Sequence, residues 1–186
     1  MYLFLIPLSI GILFTWASAF TAAYSRRWGE RGGRIISMIF RNVLGIPLWM
    51  FGLAIAWLTP APLLVRPFIG IQIFGLLLII IGSVLVVWGH LVLGWPSHMP
   101  SVHDQLVHHS LYACIRHPIY AGGLLVFPGL GLLRPTLSFI LACTIGVVYL
   151  LIQARLEEID LLQRMPTYSD YMKEVPRFLP KLRRRR

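Results

Sequence analysis

The sequence predicts an all-α integral membrane protein of about five transmembrane helices. The last two form a helical hairpin, and a cytoplasmic helical segment follows at the C-terminus. Three observations predict this fold class. The 186 residues are 57% hydrophobic and 13% charged, against roughly 45–50% and about 25% in soluble domains. Mean hydropathy is +0.73. The apolar residues fall into runs that approach or reach the roughly 20 residues a helix needs to cross hydrocarbon, and basic residues gather beside alternate runs.

The first span is read from Leu3 to Tyr24, without a charge. Arg26, Arg27, Arg31, Arg34 and Arg41 follow it, with one acid, Glu30. Asn42 to Thr59 is the second span, closed by Pro60 and Pro62, and Phe68 to Gly94 is the third. Trp88 and Trp95 suit the membrane interface. Residues 95–117 are polar and carry His98, His103, His108, His109 and Asp104. Pro118 to Leu133 is a short fourth span, Arg134-Pro135 marks a turn, and Thr136 to Ala154 is the fifth. From Arg155 the helix turns polar and runs to Met165, where Pro166 stops it. The whole chain, 1–186, reads as one membrane domain, with residues 95–117 and 155–186 meeting at one face.

Charge orients the bundle. Five arginines follow the first span and nine Lys or Arg lie at or after Arg155, while the second and fourth connections carry only Arg66 and Arg134. The positive-inside rule places the N-terminus outside and the C-terminus in the cytoplasm. The compact form and the lack of retention signals suggest a prokaryotic inner membrane. The net charge of +10 sits beside apolar spans, which speaks for membrane lipids and against nucleic acid. The terminal run Lys181-Leu182-Arg183-Arg184-Arg185-Arg186 reads as a tail drawn to anionic headgroups, at about 1 kcal/mol per charge. Cys114 and Cys143 fit no disulfide framework and read as reduced thiols. No basic region precedes the first apolar run, so it does not read as a signal peptide. A bundle of this size is able to work as a monomer.

The residues able to carry chemistry converge on the cytoplasmic face. In Arg116-His117-Pro118-Ile119-Tyr120-Ala121-Gly122, Pro118 suits the first turn of a helix, whose positive end holds a carboxylate. Tyr120 offers a ring and a hydroxyl. The plainer reading is a juxtamembrane anchor, with Arg116 snorkelling to the surface. Glu157 and Glu158 lie about 100° apart on one helix, so one faces the bundle while the other faces away. An inward carboxylate suits a ribose diol or an ammonium group, or an ion pair with Arg116. The histidines have irregular spacing and no His-x-x-x-His pair within a span, so no metal site is expected. His90 reads as a hydrogen-bonded interior residue. No nucleophile-elbow motif supports a hydrolase.

In order and spacing, these pieces resemble the isoprenylcysteine carboxyl methyltransferase family, with phospholipid methyltransferases as wider relatives. The resemblance covers Val102 to Pro180. It rests on Asp104-Gln105-Leu106-Val107, Tyr112, Arg116-His117-Pro118-Ile119-Tyr120-x-Gly122, Glu157-Glu158, Tyr168-x-x-Tyr171 and Val175-Pro176-Arg177-Phe178-Leu179-Pro180. It implies an S-adenosylmethionine site without a Rossmann domain, held by Leu106, Val107, Tyr112, His117, Pro118, Ile119, Tyr120 and Glu157. Arg116, Glu158 and Arg155 are the expected catalytic or orienting residues, and the acceptor is lipidic or prenylated. A carboxylate acceptor is already ionised and needs no base; an amine or hydroxyl needs one, for which His103, His108 or a glutamate are candidates. Three departures stand out. Ser110 occupies a position where the family has Gly, Gln153 stands where it has a substrate-orienting arginine, and the Phe-Gly before Tyr168 is missing. Arg155 is the expected substitute for that arginine. The alternatives are a scaffold that has lost turnover and an NADPH-dependent reductase on a related fold.

Overall fold

The computed structural model describes residues 2–94 and 99–180, so the expectations for Trp95, His98 and the terminal basic run lie outside the described residues. The elements are helical. They are α1 (Leu5–Ala17), α2 (Thr21–Met38), a π-helical segment (Ile39–Gly45), α3 (Ile46–Leu58), α4 (Ile69–Leu93), α5 (Pro118–Leu133), α6 (Leu137–Arg164) and α7 (Tyr168–Glu174). Three helical stretches are long and apolar enough to cross a membrane: Thr21–Leu58, Ile69–Leu93 and Leu137–Arg164. By that measure the five expected spans reduce to three, because α1 has 13 residues and α5 has 16. The chain is an integral membrane protein.

The expected first span, Leu3 to Tyr24, is broken. Helix α1 ends at Ala17 and α2 restarts at Thr21. Thr15 Oγ1 donates back to the Gly11 carbonyl at 2.9 Å and Ser18 Oγ to that of Thr15 at 2.6 Å. Such side-chain bonds compete with the helical ladder. The arginines then ride on α2 itself, which kinks at Trp28 and at Gly29, where φ is +73°. The π-helical segment joins α2 to α3 immediately before Pro47, which has no N–H to give the ladder, and places Arg41 within the wider turn. Helix α6 runs unbroken past Ala154 to Arg164.

Helices α4 and α5 make the closest pair in the molecule, through glycines spaced seven apart. A methyl group on Gly82 would fall 2.5 Å from the Gly122 carbonyl, and one on Gly129 would fall 2.6 Å from that of Gly75. Small residues at such a seam let backbones touch where lipid supplies no hydrophobic drive. A second packed unit joins α1 and α3 to α6 around Phe4, Leu8, Phe127, Phe139 and Leu150. Among the described residues α3 and α4 pack at most loosely against each other, and both line the site.

Candidate functional site

A cavity of about 670 Å³ is enclosed by the end of α1, the start of α3, α4, the loop before α5, and α5 to α7. Its lining is mostly apolar, with Leu53, Val86, Phe127 and Leu130 among it, and Arg41, Arg116, His117, Glu157 and Arg164 bring charge and polarity. Of the residues expected to hold a cofactor, Leu106, Val107, Tyr112, His117, Ile119, Tyr120 and Glu157 line this cavity. Pro118 is fully buried at the first turn of α5 beside them. Arg116 also lines it. Glu158 and Arg155 do not: Glu158 is 1% exposed behind the wall, and Arg155 lies on the exposed face of α6.

The adjacent glutamates have separate partners. Glu158 accepts from Arg116 Nε at 3.1 Å and Nη2 at 2.9 Å, and from Arg177 Nε at 3.0 Å and Nη2 at 2.5 Å. His117 Nε2 lies 3.2 Å from the same carboxylate. Arg116 Nη1 also donates to the carbonyls of Met172 and Val175. The backbone N–H groups of Arg116 and His117 donate to the carbonyls of Pro176 and Arg177 at 2.9 and 3.1 Å. Glu158 therefore ties the start of α5, the body of α6 and the C-terminal segment into one block.

Glu157 faces the cavity. Its Oε1 accepts from Arg41 Nη2 at 2.6 Å, from Gln153 Nε2 at 3.1 Å and from the hydroxyl of Tyr120. Among the described residues its hydrogen bonds all fall on Oε1. The His117 ring stacks on Tyr120 with centroids 5.5 Å apart. Tyr171 donates to the Tyr112 carbonyl at 2.6 Å. Burial pushes the Tyr171 phenol up to about 12 and raises that of Tyr112, so both remain protonated donors. At the mouth, Arg164 pairs with Asp160 at 2.7 Å and Asp104 at 3.1 Å, while Asp160 accepts from the Ala22 N–H at 2.8 Å. These bonds fix α2 and the loop against α6.

The turn expected to need glycine is kept by Ser110, which takes φ +56°, the left-handed region that non-glycine residues enter at a cost. The histidines scatter. His103 pairs with Glu30 at 3.1 Å, His108 turns back to the Leu106 carbonyl, and His90 Nδ1 lies 2.8 Å from the Val86 carbonyl. Sequence reasoning read Arg41 only as a topogenic charge. Its separation from the other arginines and its place at the head of an apolar run were the available signal.

Residues 71–165, just over half of the chain, match the phospholipid methyltransferase family. The chain belongs to that family. No curated protein and no solved structure matches it. Membership in the phospholipid methyltransferase family implies S-adenosylmethionine-dependent methylation. The matched stretch runs from α4 to the end of α6 and contains the loop, the His-Pro-Ile-Tyr run and both glutamates. The wall built by α1, Arg41 and α3 lies outside it, so one side of this family member's cavity comes from a part of the chain the family match does not reach.

Proposed function

We propose that the chain is an S-adenosylmethionine-dependent methyltransferase acting at the cytoplasmic face on a lipid-borne acceptor of the phospholipid or prenylcysteine kind. All five apolar helices enter the membrane in this reading, the short α1 and α5 included, with the N-terminus outside. Glu157 carries the proposal. Three donors fix its Oε1, no described residue bonds its Oε2, and the residue lines the cavity. A carboxylate so held is an acceptor for a ribose diol or an ammonium group.

The residues present fit the cofactor. Leu106, Val107 and Ile119 offer apolar contact for a purine, and His117 and Tyr120 offer stacked rings. The first turn of α5 begins with Pro118, and its Ile119 and Tyr120 N–H groups have no acceptor within the helix, an arrangement suited to a carboxylate. When bound, the cofactor supplies a methyl group already activated on sulfur. The protein's share is alignment and exclusion of water. Glu158, Arg116 and Arg177 hold the start of α5 in place, and Glu157 orients the ligand. In this reading an acceptor with an apolar chain enters laterally between α3 and α4, which both line the cavity.

Calorimetric titration of the detergent-purified protein with S-adenosylhomocysteine and, separately, NADPH tests this reading. Micromolar binding of the first alone is expected. Binding of NADPH alone would replace the reading with a reductase. Cofactor binding with no label transfer to any lipid would leave a scaffold that has lost turnover.

A further inference from the structure

A second hollow, a groove of about 370 Å³, lies on another face of α5. Its side chains are apolar apart from one thiol: Leu85 of α4, Leu124 and Leu125 of α5, Cys114, and Phe178 and Leu179 of the C-terminal segment stand on it. Helix α5 separates the two spaces, with Tyr120, Gly123 and Phe127 turned to the cavity and Ala121, Leu124 and Leu125 to the groove. The groove follows the first two turns of α5, ~5–10 Å from the Pro118 end. Its outer edge is Phe178, Leu179 and Pro180, and Leu179 is 80% exposed. In an integral membrane protein such walls take hydrocarbon, because water finds no bonding partner on them. The chain then passes within one residue from this apolar rim to Lys181, followed by Arg183, Arg184, Arg185 and Arg186. The acids nearest in sequence are Asp170 and Glu174 on α7, and Asp170 already pairs with Lys173 at 2.8 Å. The run of five cations therefore keeps a large positive excess.

We infer that the groove holds an acyl chain of an anionic phospholipid whose phosphate is drawn to the basic run that begins at its rim. The two parts of the site match the two ends of such a lipid. Hydrocarbon gains by burial against the leucines, and a polybasic stretch attracts anionic headgroups. A zwitterionic lipid offers the same chain, but its own cation opposes the arginines. A soluble phosphate offers charge without a chain. A second copy of the protein would bring a second basic run to the same edge and be repelled. The chain's own last residues supply one leucine, Leu182, among five charges, too little to fill the groove. The occupant bears on the cavity through the C-terminal segment. The Phe178 ring lies 6.1 Å from that of His117, and Arg177 holds Glu158. The Pro176 and Arg177 carbonyls accept from the Arg116 and His117 N–H groups at 2.9 and 3.1 Å. A lipid seated against Phe178 and Leu179 presses this segment onto the start of α5. The inference stands apart from the methyltransferase reading, since no step of it uses the cofactor.

Cys114 is a built-in reporter, because it is exposed and lines the groove while Cys143 is buried. The full-length protein in maltoside detergent is mixed with dioleoylphosphatidylglycerol, dioleoylphosphatidylcholine or glycerol phosphate. Alkylation of Cys114 by N-ethylmaleimide is then followed by mass spectrometry. Phosphatidylglycerol is expected to slow the reaction about tenfold at ten times its dissociation constant, and the other two by less than about twofold at the same concentration. The midpoint of thermal unfolding rises with phosphatidylglycerol alone. Two variants separate the ends of the lipid. Replacing the whole run (Lys181→Gln, Arg183→Gln, Arg184→Gln, Arg185→Gln and Arg186→Gln) abolishes the protection and leaves the lipid-free rate unchanged. Leu179→Glu, at an exposed position that folding does not use, sets a like charge beside the phosphate and weakens it. Equal protection by the two phospholipids, or by neither, overturns the inference. Protection that survives in both variants overturns it too, as an effect of micelle charge. Protection without lipid that grows with protein concentration overturns it in favour of a second copy on the groove.

Discussion

The wall of the cavity and the block behind it differ in what they leave open. In the block, where Glu158 ties the start of α5 to the C-terminal segment, the charged side chains are saturated, with both carboxylate oxygens occupied and Arg116 spread over a carboxylate and two carbonyls. The wall that carries Arg41, Trp49, Gln153 and Glu157 is unfinished, with one carboxylate oxygen, one amide oxygen and one indole N–H unbonded by any described residue. The two glutamates are neighbours in sequence, so the helical rotation of about 100° per residue makes the difference. A saturated block gives rigidity and an unfinished wall gives affinity, and each is open to attack separately.

The largest effect is expected at Glu158. Glu158→Ala strands Arg116 at 8% exposure without its counter-ion and takes from the buried His117 its carboxylate partner. Breaking a buried pair by removing one partner costs about 3–5 kcal/mol. Thermal unfolding in detergent should show a large drop in midpoint together with loss of ligand binding. A variant of unchanged midpoint that binds no S-adenosylhomocysteine would move Glu158 from the frame into the binding set.

The glycine seam sharpens the same contrast, because it holds α5 rigid from its other side. In Gly122→Val the added atoms meet the Gly82 carbonyl and the Val86 backbone nitrogen, the latter 3.0 Å from the Cβ position. Overpacking of this kind costs about 1–3 kcal/mol. Gly123→Ala, by contrast, meets the flexible tip of Leu150 at 2.6 Å and should be tolerated. Similar midpoints for the two variants would show that the seam does not set the stability of α5.

On the unfinished wall the expected losses are of affinity. Glu157→Gln keeps the size of the side chain and removes the charge that pairs with Arg41 and that we propose holds the ligand. S-adenosylhomocysteine affinity should fall about tenfold, equivalent to about 1.4 kcal/mol, with a smaller change in midpoint than Glu158→Ala. An unchanged dissociation constant would put the cofactor elsewhere.

Much of this arrangement was legible in sequence where a local rule was decisive. Pro118 and Arg134 bracket α5, and the uncharged run from Phe68 to Gly94 became α4 (Ile69–Leu93). The loop residues Leu106, Val107 and Tyr112, singled out by the family resemblance, lie on the cavity wall. The break after Ala17 was not legible, because Thr15 and Ser18 are ordinary in an apolar run until their hydroxyls turn back on the ladder. Nor were Arg41 and Trp49, since what brings them to Glu157 and Tyr149 is packing between segments 100 or more residues apart. Periodicity reports which face of a helix is apolar; it does not report which other helix will meet that face.

Arg155 gives the smallest effect and the cleanest division between block and wall. Sequence spacing makes it the substitute for a substrate-orienting arginine, with Gln153 at that position. In the structure Arg155 is exposed and off the cavity, while Gln153 is buried and lines it. Positions two apart on a helix do not share a face, so Arg155 reaches the acceptor only if α6 rotates. Arg155→Ala should change neither S-adenosylhomocysteine affinity nor methyl transfer to lipid by more than about twofold, as for surface substitutions in general. The measurement is label transfer from tritiated S-adenosylmethionine in nanodiscs, alongside Gln153→Lys as the variant expected to respond. A rate that collapses in Arg155→Ala while cofactor affinity holds would mean that the working enzyme turns α6 toward the proposed entry between α3 and α4, and that the unfinished wall is completed by a side chain now facing outward.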